Sequence, residues 1–158
     1  MKRVLNIQDI SCIGKCSLTV ALPIISAMGI ETSILPTSIL STHTMFNDFT
    51  FRDLTDDMEP IKKHWQKEGF SFDAIYTGYL GSERQITLVK DYFKTFGNTC
   101  KYIIVDPAMA DNGKLYSGFD KDFPLKMAKL CKYADVILPN ISEASFMTGM
   151  PYPGENAS

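Results

Sequence analysis

Short apolar runs alternate along this sequence with longer segments in which apolar residues recur every three to four positions. Five runs have the length and composition of buried strands, at residues 3–7, 32–35, 74–77, 102–105 and 136–138. Segments with helical spacing come between and after them, at residues 16–28, 54–68, 82–96, 123–132 and 140–147. Strands joined by helical crossovers form a parallel sheet. The pattern therefore predicts an α/β fold with an open, Rossmann-like parallel sheet and helices on both of its faces.

Turn and cap residues mark the ends of these elements. Gly29 and Gly97 stand where helix C-termini favour glycine, and Ser82 is placed to cap the helix that follows it. Pro36 is expected to close the second strand. The polar segment that follows, residues 37–50, is predicted to be an irregular connection, and long connections of this kind are usually functional or mobile.

Charge and composition exclude several classes of protein. The chain of 158 residues has 16 basic and 18 acidic residues, a net charge of −2, and no run of like charges, so a nucleic-acid or anionic-membrane surface is not expected. No apolar stretch reaches the ~18 residues that span a bilayer, and the N-terminus lacks a signal-peptide pattern. We therefore expect a soluble, cytoplasmic protein without nucleic-acid or membrane partners.

The four cysteines do not form a recognisable pattern. They are Cys12, Cys16, Cys100 and Cys131, too few and too scattered for a disulfide scaffold. Cys12 and Cys16 have the spacing of half a metal site, but no second Cys or His pair follows at ligand spacing. We expect reduced thiols that are mostly buried.

Polar side chains are concentrated where the predicted strands end, which is where open parallel sheets bind their ligands. These residues are Gln8, Asp9 and Ser11; Thr37 to Thr44; Gly78, Tyr79 and Gly81; Asp106 and Asp111; Asn140 and Glu143. Turn and cap preferences explain about half of them, because Asp, Asn, Ser and Gly are favoured there in any case. The excess predicts a binding site at this edge of the sheet.

Two common phosphate-binding loops are absent. Gly14 and Lys15 follow the first strand as in a P-loop, but Asp9 stands at the position of the first glycine and Cys16 replaces the required Ser or Thr. No two glycines are separated by a single residue, so the G-x-G-x-x-G fingerprint does not occur. Classical NAD binding is therefore disfavoured.

Two acidic pairs allow either a structural or a metal-binding interpretation. Asp106 leaves a strand and Asp111 follows five residues later, so the pair could hold a hydrated Mg²⁺ beside phosphate oxygens or could simply form turns. Asn140 and Glu143 could form a helix-capping box or could order the water around a metal ion. For either pair, the residues alone do not decide between the structural and the metal-binding interpretation.

His43 and Tyr79 are candidates for contact with a small flat ligand. His43 has hydroxyl side chains on both sides and could hydrogen-bond a polar ring, although a lone His is more often structural, as we expect for His64. Tyr79 lies in a glycine-containing strand exit and could pack on a ligand or cover the edge of the sheet.

Taken in order, these segments resemble the N-terminal part of the pyridoxal/pyridoxamine (vitamin B6) kinases of the ribokinase superfamily. The resemblance covers residues 4–149, nearly the whole chain. The matching segments are Ile7-Gln8 with Gly14, Ser41-Thr42-His43-Thr44, Thr77-Gly78-Tyr79, Asp106-Pro107 with Asp111, and Pro139-Asn140-Ile141-Ser142-Glu143. Each match alone is weak, whereas five in the same order are specific.

The resemblance implies a ribokinase-type sheet and transfer of the γ-phosphoryl group of ATP, with Mg²⁺, to the hydroxymethyl oxygen of a B6 vitamer. It assigns five residues to the vitamer side of the site: Asp9, Ser11, His43, Thr44 and Tyr79. It assigns four to the nucleotide phosphates: Asp106, Asp111, Asn140 and Glu143. Of these, Asp111 and Glu143 would approach the metal ion through water. Positioning and charge neutralisation dominate such phosphoryl transfers.

Three residues depart from the pattern of the family. Asp9 stands where many B6 kinases have Ser, Leu40 where they have an aromatic residue, and Met45 where a glycine is usual. With a carboxylate facing the ring and a smaller stacking surface, the resemblance does not decide which ring the site prefers. The hydroxymethylpyrimidine kinases, which also take a small ring with a hydroxymethyl group, are therefore an alternative.

The resemblance further implies a general-base Asp in a Gly-rich turn at a helix N-terminus, and the chain contains no Gly-x-Gly-Asp. We expect that base and the rest of the ATP site beyond Ser158, so that residues 1–158 are the N-terminal portion of one ribokinase-like domain, inactive alone and with no catalytic residue of its own. A third hypothesis is a non-catalytic binding or dimer-forming module. An uncovered sheet edge would favour a homodimer.

Overall fold

The structure, a computed structural model, describes residues 1–154. Its strands are β1 (Arg3–Ile13), β2 (Glu31–Thr42), β3 (Phe51–Asp53), β4 (Ala74–Thr77), β5 (Tyr102–Val105), β6 (Ala110–Asp111), β7 (Lys114–Leu115) and β8 (Val136–Ile137). Its helices are α1 (Leu18–Ala27), α2 (Thr55–Lys67), α3 (Glu83–Phe96), α4 (Phe123–Cys131) and α5 (Ile141–Thr148), with a 3-10 turn at Gly97–Thr99. Six strands form one sheet in the order β3-β2-β1-β4-β5-β8, and only β3 is antiparallel within it. The predicted α/β fold with a mainly parallel sheet is confirmed.

The second strand continues past the proline that was expected to end it. Pro36 lies at a register shift, because β1 advances two residues from Gln8 to Ile10 while β2 advances three, from Pro36 to Ile39. A bulge of this kind interrupts the ladder where proline has no N–H to offer. The prediction of an irregular segment over residues 37–50 is therefore wrong for its first six residues, which belong to β2.

The edge strand β3 is not predicted by the sequence. All three of its residues are exposed, so no buried alternate position marks it as a strand. It forms because β2 offers it a partner: Ser38 pairs with Asp53 and Leu40 pairs with Phe51. The connection that remains irregular is therefore shorter than predicted.

The five helices occupy the predicted segments, with ends that differ by at most two residues. Ser82 caps α3 by accepting a hydrogen bond from the Gln85 N–H, as its position predicts. Gly29 follows α1 with φ of 77°, a conformation that glycine adopts without strain. Within residues 1–154 we find no helix with the length and apolar character needed to cross a membrane.

A small hairpin follows β5. β6 and β7 are joined by Asn112 and Gly113, whose φ angles of 49° and 71° are those of a type I′ turn. The Asn-Gly dipeptide is a strong hairpin signal, but two-residue strands are too short to show an alternating pattern. This hairpin places Asp111 next to α5.

The main core lies on one face of the sheet. Leu5, Ile7, Ile75 and Val105 contribute to it from the central strands and pack against α2, α3 and α4. The alternate positions of β1 and β4 point to the other face, where α1 packs against β1 and β2. Helices therefore lie on both faces, as predicted, but α1 leaves much of the second face open.

Candidate functional site

A cleft of about 400 Å³ opens between α1, the middle of β1 and the carboxyl ends of β4 and β5. Its polar lining residues are Gln8, Lys15, Ser17, Tyr76, Tyr79 and Asp106. The opposite wall is apolar and comes from one side of α1. A cleft with this volume, position and division of polarity suits a small ring that carries polar groups along one edge.

Two of the nine site residues predicted from the sequence, Tyr79 and Asp106, line this cleft directly. The others fall into two groups that the order of the strands places on opposite sides of it. The first group comprises Asp9, Ser11, His43 and Thr44. Asp9 and Ser11 lie within β1, which continues six residues beyond the predicted strand at residues 3–7, and His43 and Thr44 follow β2. The second follows β5 and β8 and comprises Asp111, Asn140 and Glu143.

Asp9 is a carboxylate with little access to water. Asp9 is 5% exposed, and its Oδ1 atom is buried without a hydrogen-bond partner. Burial raises the pKa of the Asp9 carboxyl, and the hydroxyls of Ser17 and Ser11 offset part of that rise. A buried carboxylate oxygen without a donor is costly unless a ligand supplies one.

Ser17 was missed by the sequence analysis, although it lines the cleft. It precedes α1 with φ of 51° and ψ of −132°, a backbone conformation that non-glycine residues rarely adopt. Its side chain does not cap the helix and instead lies beside Asp9. A Ser before a helix is an ordinary capping signal, so nothing in the sequence distinguishes this one.

Gln8 and Tyr76 are further residues of the polar wall without a predicted role. Gln8 is buried, and its Nε2 has no hydrogen-bond partner. A Cβ at position 78 would lie 2.7 Å from Gln8 Cδ, so the glycine there allows the two strand ends to approach closely. The sequence predicts Gln8 at the end of the first strand and gives it no role, and in the structure it lies in the middle of β1.

His43 is held firmly at the end of β2. Its N–H donates to the Ile13 carbonyl at 3.2 Å, and its ring packs on Gly14, where a Cβ would lie only 2.2 Å from His43 Cδ2. The ring Nδ1 accepts a 3.3 Å hydrogen bond from the Met45 N–H, which leaves Nε2 as the free donor. Thr44, by contrast, is exposed.

Tyr79 has contacts on two sides. Its ring lines the cleft and also packs against Phe119, with ring centroids 5.6 Å apart. Burial raises the pKa of the Tyr79 phenol, and the negative charges of Asp9 and Asp53 raise it further. The phenol therefore stays protonated near neutral pH and can donate a hydrogen bond.

Three predicted acids gather around one phenol on the far side of the cleft. The charges of Glu143, Asp111 and Asp106 add to the effect of burial in raising the pKa of Tyr116. Burial alone raises the pKa of the Asp106 carboxyl to about 6. These acids make the region locally acidic, although Lys114 pairs with Asp111 across the β6–β7 hairpin and Lys15 lines the same cleft as Asp106.

The capping-box interpretation of the last predicted pair is confirmed. Asn140 Oδ1 accepts the Glu143 N–H at 2.9 Å, and Glu143 Oε2 accepts the Asn140 N–H at 2.8 Å. Asn140 Nδ2 also donates to the Ala110 carbonyl, and Glu143 Oε1 accepts the Met109 N–H. Both oxygens of Glu143 are thus engaged with backbone. In the described part of the chain, no three His, Cys, Asp or Glu side chains are close enough to hold a metal directly.

The geometry agrees with what comparison with known proteins finds. The sequence profile of the phosphomethylpyrimidine kinase family matches residues 31–157, about four-fifths of the chain. The chain belongs to the phosphomethylpyrimidine kinase family. Residues of β2 and of every later strand and helix fall within the matched segment.

Solved structures similar to this family member include vitamin B6 kinases. A "putative phosphomethylpyrimidine kinase" from Bacteroides thetaiotaomicron, in a crystal form with pyridoxal, is 44% identical with a TM-score of 0.93, over 99% of this chain and 55% of that one. The pyridoxal kinase from Lactobacillus plantarum is 38% identical with a TM-score of 0.90, over 96% of this chain and 54% of that one.

A curated relative gives the same result at lower identity. The pyridoxal kinase PdxY of Actinobacillus pleuropneumoniae is 27% identical over 159 aligned residues, covering 95% of this chain and 54% of the relative. The resemblance to the B6 kinases and the ribokinase-type fold are confirmed. This phosphomethylpyrimidine kinase family member spans about half the length of these relatives.

Proposed function

We propose that this chain forms the N-terminal half of an ATP-dependent kinase that phosphorylates the hydroxymethyl group of a vitamin B6 vitamer. The observation that carries the proposal is the 44% identity, over nearly the entire chain, to a protein crystallised with pyridoxal. The cleft supports it, because a small polar ring fits a volume of about 400 Å³ with polar groups on one wall.

We assign the vitamer ring to the side of the cleft formed by β1 and β2. Asp9 and Ser11 are buried there, His43 presents its Nε2, and Tyr79 offers a phenol. The partnerless Oδ1 of Asp9 calls for a donor such as a protonated ring nitrogen or an amino group. Thr44 completes the predicted set, and its exposure supports a contact only if its loop closes over the ring.

We assign the nucleotide phosphates to the opposite side. Asp106, Asp111, Asn140 and Glu143 lie there on the ends of β5 and β8 or on the hairpin between them. The carboxylates of Asp106, Asp111 and Glu143 are the oxygen donors that Mg²⁺ prefers, so these three residues fit the ion. Because backbone N–H groups hold both oxygens of Glu143, that residue would reach the ion through water. Bound Mg²⁺ would neutralise the charge of the phosphates.

We place the general base and the remaining ATP site in polypeptide beyond Ser158. The half-length coverage of the relatives supports this, and so does the outer edge of β8, which no strand of residues 1–154 covers. Val136, Ile137 and Leu138 are exposed along that edge, although their sequence is typical of a buried strand. Residues 1–158 would then be one portion of a single domain.

The alternative substrate is a hydroxymethylpyrimidine. Two observations favour it: the family profile that matches the chain, and the carboxylate of Asp9. An aminopyrimidine carries an exocyclic amino group that can donate to this carboxylate, whereas pyridoxal would have to donate through its protonated ring nitrogen or its phenol. The same site would then perform the same phosphoryl transfer on a different ring.

Assembly and location are further parts of the proposal. Met45, Phe46 and Phe51 expose apolar side chains beside the edge strand β3, which supports a homodimer through that edge. The four cysteines are free thiols, as is usual in the reducing cytoplasm.

Calorimetric titration of the chain with pyridoxal, pyridoxamine and 4-amino-5-hydroxymethyl-2-methylpyrimidine tests the proposed site. We expect Asp9→Ala and His43→Ala each to weaken binding about tenfold, since each removes a hydrogen bond to a buried ligand. His64→Ala is the matched control, because that histidine is exposed on α2 beside Glu68. Unchanged binding in both variants would refute the ring assignment. Tighter binding of the pyrimidine than of either vitamer would favour the alternative substrate.

A further inference from the structure

Gln85 is a buried glutamine whose side-chain amide joins three separate segments. It lies in the first turn of α3 and is 1% exposed. Its Nε2 is 3.0 Å from the Thr37 carbonyl oxygen, 2.9 Å from Thr55 Oγ1 and 3.2 Å from Asp53 Oδ1. Its Oε1 accepts a 2.7 Å hydrogen bond from the Gly81 N–H. One side chain thus connects β2, the junction of β3 with α2, and the loop before α3.

The arrangement differs from an ordinary capping box. Ser82 caps α3 by accepting the Gln85 N–H, and a glutamine at this position usually returns a bond to the N–H of the cap residue itself. Here Gln85 Oε1 accepts its hydrogen bond from the N–H of Gly81, which is one residue before the cap. Its amide therefore has a role that stabilising the helix end does not require.

The loop that Gln85 holds is the one that carries Tyr79. We call residues 78–81 the Tyr79 loop. The Tyr79 carbonyl accepts a 3.2 Å hydrogen bond from Thr37 Oγ1, and the Tyr79 ring lies over Gly81, where a Cβ would be 3.5 Å from Cε1. The Thr37 carbonyl, which Gln85 contacts, also accepts the Leu54 N–H at 3.1 Å. Thr37 and Gln85 together fix the loop to β2 and to the start of α2.

We propose that Gln85 is a positioning residue that couples the Tyr79 loop to the β2–β3 edge of the sheet. His43 follows β2 and Tyr79 belongs to the loop, so the coupling keeps a constant spacing between the two sides of the ring site. The coupling itself depends only on the contacts above. Its consequence for ligand binding rests on the proposed function.

Hydrogen–deuterium exchange of the folded chain tests the coupling directly. In Gln85→Met we expect the amides of residues 78–82 to exchange about tenfold faster, because the Gly81 N–H loses its acceptor. The Leu54 amide should respond likewise, because Asp53 and Thr55 on either side of it lose their contacts with Gln85. Gln66→Met makes the same chemical change at an exposed position of α2 and should leave these amides unchanged. Faster exchange confined to the first turn of α3 would overturn the proposal.

Thr37→Val provides an independent test if Gln85→Met does not fold. The change removes the hydroxyl that donates to Tyr79 but keeps the size of the side chain and the carbonyl that Gln85 contacts. Residues 78–82 should exchange faster while the Leu54 amide keeps its protection. An unaffected Tyr79 loop would overturn the coupling.

Calorimetry with pyridoxine separates this inference from the proposed function. We expect the dissociation constant to rise about three- to tenfold in Gln85→Met and Thr37→Val, and to stay constant in Gln66→Met. If the wild-type chain binds pyridoxine and the loosened variants bind it equally well, the positioning role is wrong. If the wild-type chain binds none while exchange responds as expected, the coupling stands and the proposed function fails.

Discussion

Asp9 and Asp106 are two partly or fully buried carboxylates near the same cleft, and their surroundings favour different binding partners. Burial raises the pKa of both. At Asp9 the hydroxyls of Ser11 and Ser17 offset part of the rise, which favours a carboxylate that accepts a hydrogen bond from a ligand. At Asp106 no hydrogen bond offsets the rise, so that carboxyl titrates close to neutrality and would gain from a nearby cation.

The raised pKa of Asp106 predicts a pH-dependent effect on stability. The folded protein binds this proton more tightly than the unfolded chain, so Asp106 begins to destabilise the fold as pH rises above 3.8, and the penalty is complete above about 6. Asp106→Asn should therefore increase the free energy of unfolding by roughly 1–2 kcal/mol at about pH 8, a figure reduced for partial exposure, and by about a third of that amount at about pH 4.5.

Urea denaturation at the two pH values measures this difference. Asp57→Asn, at an exposed position of α2, is the control and should change stability by less than ~0.5 kcal/mol at either pH. An equal effect of Asp106→Asn at both pH values would show that burial does not act through the carboxyl charge.

At the level of elements, the sequence predicts the helices and strands that have a local pattern of their own. It misses the strand segments that form only by pairing with a neighbouring strand. The strands at 74–77 and 102–105 and all five helices follow from apolar spacing and caps. β3 and the continuation of β2 beyond Pro36 arise only from pairing with neighbours, which no local pattern contains. The site shows the same division, since Tyr79 and Asp106 follow from strand ends whereas Ser17 reaches the cleft through an unusual backbone conformation.

The capping box of α5 also holds the β6–β7 hairpin, and this double role predicts a graded response. Asn140→Ala removes the cap and the hydrogen bond to Ala110, and should lower the free energy of unfolding by about 1–2 kcal/mol. Asn140→Ser retains a capping oxygen but is too short to reach Ala110, so its loss should be about half as large. Ser82→Ala, which removes a simple cap from α3, is the reference.

Urea denaturation gives the stabilities, and amide exchange at residues 110–115 reports on the hairpin. Both Asn140 variants should speed exchange there, whereas Ser82→Ala should not. Wild-type stability and exchange in Asn140→Ser would show that the hairpin does not depend on the side-chain amide.

For the whole molecule, the distribution of apolar surface indicates which part of the fold the described residues leave uncovered. On the face opposite the main core, Ile24 of α1 is 55% exposed and Met28, which follows that helix, is 71% exposed. Ile137 on the outer edge of the sheet is 45% exposed. Surface of this kind is normally covered by further structure. Ile24 also lines the cleft, so a segment that covered α1 at this point would add to the walls of the site.

This incomplete cleft predicts that the chain alone does not turn over ATP. Among the described residues, Asp106 is the carboxylate on the cleft wall with a pKa near neutrality, so it is the one that could act as a base unaided. Yet nothing described opposite it supplies a Gly-rich helix N-terminus to stabilise the transferred phosphoryl group. Coupled assays with ATP, Mg²⁺ and each vitamer should therefore give negligible rates in the wild type and in Asp106→Asn alike. Turnover at an ordinary enzymatic rate that Asp106→Asn abolishes would make Asp106 the base and the cleft sufficient as it stands. Turnover that survives the substitution would place the base on another residue of this chain.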